Sequence, residues 1–222
     1  MKSFTSRPVG YGANATGGGN AAPVIVRNKT EFVNAVSSNE PKVIIVDGFF
    51  EIGYTLIKSN KTIQGFNSES GTSGTIRIEN VSNVIVQGLK CTAPAINGKT
   101  YDAIAIAGSR DVWIDHCTFY NWTDGACDIV KSSDYVTVSC CYFYQTTQYE
   151  HSLAILIGSD KNDPDADKLH VTGYLNWFGK NVYDRMPFNR GCEIKASKPP
   201  NKYLALNVTL EIMLSGLLPL PT

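Results

Sequence analysis

The segment Thr100–Ser139, TYDAIAIAGSRDVWIDHCTFYNWTDGACDIVKSSDYVTVS, carries one short pattern twice. Val112-Trp-Ile-Asp-His-Cys-Thr-Phe119 returns 24 positions later as Val136-Thr-Val-Ser-Cys-Cys-Tyr-Phe143, with Val at the first place, Ile or Val at the third and Phe at the eighth. The unit extends both ways. Val84-Ile-Val-Gln-Gly-Leu-Lys-Cys91 fits it 28 residues upstream, and Val171-Thr-Gly-Tyr-Leu-Asn-Trp-Phe178 fits it 35 residues downstream. A second β-rich run precedes each copy: Thr75–Glu79, Asp102–Ala107, Ala126–Val130 and Leu153–Ile157.

Four copies at such a period are the signature of a solenoid. Each unit reads as one strand, so a coil holds at least two strands. Short strands joined by turns, with no helix of any length between them, stack as parallel coils about 4.8 Å apart, where like residues form ladders. The predicted class is all-β, a right-handed parallel β-helix with a short N-terminal capping helix. The eighth place, Cys91, Phe119, Phe143 and Phe178, predicts an interior aromatic stack, and the sixth, Leu89, Cys117, Cys141 and Asn176, a ladder at a turn.

Upstream, Pro23–Arg27 and Lys42–Val46 read as strands around a helix from about Lys29 to Ser37, with Thr30 in position to cap it. A helix there hides the unpaired edge of the first coil. Residues 1–22 are rich in Gly and Asn and lack a hydrophobic signal core, which predicts a flexible segment that is not a signal peptide. Residues 23–222 are expected to form a single domain, of which 193–222 are atypical.

Three acids stand out around the repeats. Asp102 lies ten positions before Val112, Asp128 eight before Val136, and Asp124 four before Asp128. The even offsets predict one shared face. Carboxylates that converge repel one another unless a cation sits between them, and an all-oxygen ligand set suits a hard ion such as Ca²⁺. The plainer reading is three solvated turn residues.

Composition narrows the partners. Lys+Arg and Asp+Glu both number 20 in 222 residues, so nothing points to nucleic acid or to an anionic membrane, and no apolar run approaches spanning length. With 43% apolar residues the chain can bury a real core, and a monomer is expected.

The segments DAIAI, VWIDHCTF, DGACDIV, SSDYVTVS, ILIGSD, LHVTGYLNWF and RMPFNRG occur in this order over roughly residues 40–192. Together they resemble the pectate lyases and fungal pectin lyases of polysaccharide lyase family 1, closest to the calcium-dependent pectate branch. The resemblance implies the fold already read from the repeats. It also implies Ca²⁺ bound by Asp102, Asp124 and Asp128, Arg185 as the catalytic base opening RMPFNR, and Arg190, closing it, as a binder of the substrate carboxylate. The implied reaction is β-elimination on de-esterified homogalacturonan to a 4,5-unsaturated product. A guanidinium normally stays protonated, so an arginine base implies an alkaline working pH. His151 is the histidine nearest the expected groove and a candidate sugar contact. Family members are generally secreted, and six Asn-x-Ser/Thr sequons are compatible with that.

One departure qualifies the resemblance: the family's substrate-binding Lys, five residues before the Gly of the ILIGSD segment, is Leu153 here. Two alternatives therefore stay open, a metal-independent pectin lyase and a β-helix that binds polygalacturonate through Ca²⁺ without cleaving it. Of the six cysteines, Cys117 and Cys141 share a ladder place, so either a disulfide or buried free thiols fit. His116 reads as a structural hydrogen-bonding residue and His170 as a surface one. Cys192–Thr222 does not continue the pattern and the chain is short at 24.2 kDa, which suggests a truncated or mis-spliced end.

Overall fold

The computed structural model describes residues 7–148, 151–159 and 168–189, with the backbone alone for residues 188 and 189. The expectations for 193–222, for Arg190 and for Cys192 lie outside the described residues. In chain order the strands are β1 (Pro23–Val26), β2 (Lys42–Val46), β3 (Phe49–Ile57), β4 (Lys61–Gly65), β5 (Gly71–Glu79), β6 (Ser82–Gln87), β7 (Lys90–Ala93), β8 (Ile104–Ala107) and β9 (Arg110–Asp115). They continue as β10 (Thr118–Trp122), β11 (Cys127–Val130), β12 (Asp134–Ser139), β13 (Tyr142–Tyr144), β14 (Leu156–Ile157), β15 (Val171–Tyr174), β16 (Trp177–Phe178) and β17 (Phe188–Asn189). One helix, α1 (Lys29–Val36), lies between β1 and β2.

The chain is a parallel β-helix, as the repeats predict. β1, β2, β4, β6, β9, β12 and β15 stack in that order as the first face. A second face runs β7, β10, β13, β16 and a third runs β8, β11, β14, β17. The nine-residue strands β3 and β5 turn the corner between these two, so β5 pairs with β7 through its first half and with β8 through its second.

The coil holds three strands, consistent with the expected minimum of two, but each eight-residue unit spans two of them and not one. The unit bends at its fifth place, where Gly88, His116, Cys140 and Leu175 all take φ between 50° and 63°. That left-handed conformation swings the chain onto the next face. A second left-handed row, Asn60, Asn83, Asp111 and Tyr135, opens the strands of the first face. Asn and Asp tolerate this region best, which explains part of the Asn content.

Registered ladders make the core. On the first face Ile44, Ile63, Val86, Ile114 and Val138 are stacked rung on rung. On the third, Ile76 and Ile78 face Ile104 and Ile106, then Cys127 and Ile129. Each fully buried Ile or Val is worth about 1.5–3 kcal/mol. The eighth-place stack is present: Phe119 and Phe143 lie parallel at 4.7 Å, and Phe143 and Phe178 at 5.0 Å. The sixth-place residues are all buried, and Asn176 there donates to Val138 O and accepts from Cys141 N. Cys117 and Cys141 are free thiols, so among the two readings of that pair the apolar one holds.

Two expectations about the N-terminal end change. Asn28, not Thr30, caps α1: its Oδ1 accepts from Glu31 N, while Glu31 returns a carboxylate to Arg27 N and to the Asn28 amide. Thr30 sits two residues too late because the helix already starts at Lys29. The helix buries Phe32, Ala35 and Val36 over the first coil.

The flexible segment expected over 1–22 is, from its described residues onward, a strap across the first face. Tyr11 N donates to Thr172 Oγ1, Gly12 N to Thr137 Oγ1, Gly17 N to Asn83 Oδ1 and Gly18 N to Thr62 Oγ1, so one run of chain crosses from β15 back to β4. Gly12 has to be glycine for approach: a Cβ there would lie 2.8 Å from Val112 O. Ala15 closes over Ile85 and Trp113 in a small satellite core. Among the described residues no helix is long and apolar enough to cross a membrane.

Candidate active site

The entrance of the third face brings the sequence-predicted acids together. Asp102 sits just before β8, in a stretch pinned by the Thr75 hydroxyl, which donates to Asp102 O at 2.7 Å. Asp128 is the second residue of β11, one coil further on, and Asp124 lies in the turn before it, with its N–H bonded to Tyr101 O. The registers place Asp128 opposite Ala105, not opposite Asp102. The parity expected from the offsets therefore fails, because the turn after β11 holds one residue more than the turn after β8.

What brings the carboxylates together is the glycine between them. Gly125 N donates to Asp102 Oδ1 at 2.8 Å, and a Cβ on Gly125 would fall 2.9 Å from Asp102 Oδ1 and closer still to Asp128 Oδ1. Both carboxylates thus lean over one side-chain-free position. Gly125 was not singled out from the sequence, where the DG pair reads as an ordinary turn.

The electrostatics are those of crowded acids. Burial pushes Asp128 up to about 8, with the charge of Asp102 adding to it and Arg185 and the Leu156 N–H opposing it. Burial likewise raises Asp102 to about 6, against the hydrogen bond from Gly125. A cation between them would relieve both.

Arg185 reaches this cluster from two coils further on, past the rung of Leu153. Its Nη1 lies 3.4 Å from Asp128 Oδ2, and both side chains are largely buried. Its backbone takes φ of +55°, a costly choice for a bulky residue. That turn is held from both ends: Arg185 N donates to the Asp184 carboxylate and Arg185 O accepts from Ile155 N. Leu153 forms bridges to Gly125 on one side and Asp184 on the other, so it stands one rung beyond the acids. His151 is exposed two residues earlier. Arg77 on β5 is in register with Ala105, hence in the outward row that leads to Asp128, and it pairs with Glu79. The sequence reading overlooked it.

The donor chemistry suits a hard cation: carboxylate oxygens and a cradle that a Cβ would fill. The three acids are not drawn into a closed set, however. Among the described residues, the trio of His, Cys, Asp or Glu whose ligand atoms all approach within 4.8 Å is Asp115, His116 and Cys140, elsewhere in the coil.

With this geometry in place, comparison with known proteins is informative. A family model described as pectate lyase matches residues 4–216. The chain is 36% identical over 205 residues to a pectate trisaccharide-lyase of Thermotoga maritima, which covers 83% of this chain and 54% of that protein. It is 37% identical over 199 residues to the pectate lyase plyB of Emericella nidulans, covering 83% and 58%. Among solved structures, pectate lyase II of Xanthomonas campestris superposes with a TM-score of 0.64 at 27% identity, covering 83% of this chain and 64% of that one. A Bacillus sp. N165 pectate lyase in complex with trigalacturonate gives 0.68 at 25% identity, covering 83% and 65%. The chain spans about half the length of the curated relatives it matches.

Proposed function

The chain belongs to the pectate lyase family, and from that premise we propose that it is a secreted, calcium-dependent pectate lyase that cleaves de-esterified homogalacturonan by β-elimination. The observation that carries this reading is Arg185 seated on Asp128 beside the Gly125 cradle, on one face of the coil. The bound trigalacturonate of the Bacillus relative supports an acidic sugar chain as substrate.

In this reading Asp102, Asp124 and Asp128 hold Ca²⁺, which when bound would neutralise a galacturonate carboxylate and make the adjacent C5 proton more acidic. Arg185, in its neutral form, takes that proton. The C5–H electron pair becomes the C4–C5 double bond, and the C4–O pair leaves with the glycosidic oxygen. Ile155 N and the Asp184 carboxylate keep the Arg185 backbone from drifting as its side chain changes charge. Arg190 would grip a substrate carboxylate with its planar fork, and His151 would touch a sugar ring at the rim.

The test is ultraviolet absorbance of the conjugated product on polygalacturonate at alkaline pH, with CaCl₂ and then with excess EGTA. A rise that EGTA abolishes supports the proposal; a rise indifferent to EGTA favours the metal-independent pectin lyase. Leu153 at the family's lysine position favours a second reading, binding without cleavage. No product from folded protein that still sediments with calcium polygalacturonate would select it.

A further inference from the structure

A second cluster of ligating side chains lies at another corner of the coil, where the first face bends into the second. His116 and Cys140 occupy the same fifth place of adjacent units, both with φ near 50°, and the bend is tied by His116 N donating to Ser139 O. Stacked left-handed turns therefore project an imidazole and a thiol from neighbouring rungs. Asp115 precedes His116, is almost fully buried, and lies with its Oδ2 2.7 Å from His116 Nδ1. The ligand atoms of all three come within 4.8 Å of one another.

The surroundings are built for it. Asp115 Oδ2 also accepts from Gln87 Nε2 at 3.1 Å, its Oδ1 accepts from Ser139 Oγ at 2.6 Å, and Ser139 Oγ in turn accepts from Trp113 Nε1. Gln87, Trp113 and Ser139 are buried, so the carboxylate is fixed before anything binds. Asp115 Oδ2 and His116 Nδ1 are thereby held side by side, and an entering ion would replace the proton between them. His116 keeps 46% of its side chain exposed and Cys140 is half-buried, which leaves a path from solvent.

We propose that Asp115, His116 and Cys140 form a binding site for a borderline divalent transition ion such as Zn²⁺, separate from the calcium site proposed above. The mixed oxygen, nitrogen and sulfur donors select against Ca²⁺ and Mg²⁺ and suit a tetrahedral ion with solvent in the fourth position. On binding, the thiol proton of Cys140 is released and the thiolate becomes a ligand.

The test is titration of the chelator-treated full chain with Co²⁺ alone, reading the thiolate-to-cobalt charge-transfer band in the near ultraviolet and the intense visible bands of a tetrahedral ion. One Co²⁺ per chain that Zn²⁺ displaces is expected. Cys140→Ser should abolish the charge-transfer band, His116→Gln should weaken binding at least about tenfold, and Asp128→Asn and Cys192→Ser should change neither. A missing band, a band that survives Cys140→Ser, one lost in Cys192→Ser, or unchanged affinity in His116→Gln would overturn the proposal. The exposed imidazole makes His116→Gln a variant that folds even where Cys140→Ser does not.

Discussion

The upstream coils and the coils that carry the candidate site are built differently. β3 and β5 run for nine residues each, and Ile76 and Ile78 of β5 stack on Ile104 and Ile106. β14, β16 and β17, around Arg185, run for two. Upstream, long ladders and a capping helix hold the backbone, and side chains mostly fill space. Near the site the backbone is held by single bridges and by hydrogen bonds to side chains, as at Leu153 and Asp184. Short pairing leaves local opening cheap, so chemistry and stability are carried by different rungs.

The largest test of that division is Arg185→Ala. Loss of the proposed general base would cost up to about 10⁴-fold in rate, and product formation should fall by that order while Tm stays within a degree or two. A matching fall in Tm would mean that the ion pair with Asp128 also holds the coil. Phe119→Ala probes the other region. It removes the first ring of a parallel stack, itself fully buried, at roughly 3–5 kcal/mol. The urea midpoint should drop accordingly, and the rate per folded molecule should not. A changed kcat with normal folding would show that the scaffold tunes the site.

How much of this was legible follows the same line. The ladders were readable because stacked rungs force like residues into register, and a period in sequence is a period in space. The second face was not, because the bend at Gly88, His116, Cys140 and Leu175 needs no glycine at every copy, and the unit looks like one strand. Asp102, Asp124 and Asp128 were grouped from their types, but by an argument about parity that the extra residue after β11 defeats. Gly125 and Arg77 escaped because nothing in a lone glycine or a salt-bridged arginine announces the row it stands in. The strap was misread for a related cause: Gly12 serves close approach, and from sequence that looks the same as freedom.

A pH series sharpens the contrast further. In the fold Asp128 keeps its proton up to about 8, whereas unfolded it releases it near 3.8. The native state therefore binds more protons across that window, and stability falls as pH rises from about 4 to about 8. In the presence of EGTA, Tm should decline by several degrees over that range, and Asp128→Asn should flatten the slope. A slope unchanged by Asp128→Asn would assign the proton uptake to another group.

The smallest expected effect concerns the strap, the one element that spans both regions. The Thr137 hydroxyl accepts from Gly12 N and donates to Val9 O at 2.6 Å, so it is the midpoint at which residues 9–18 are tied to the first face. Thr137→Val keeps the shape and removes both bonds, at about 1–2 kcal/mol, or roughly 2–8 °C in Tm. Because the neighbouring ties to Thr172, Asn83 and Thr62 remain, only the local opening should become cheap. Native-state hydrogen exchange reads this directly: Gly12 N–H should lose protection while the amides of β8 and β11 keep theirs. If β8 and β11 loosen as well, the strap is clamping the rungs that bear Asp102 and Asp128, and the two regions are mechanically one.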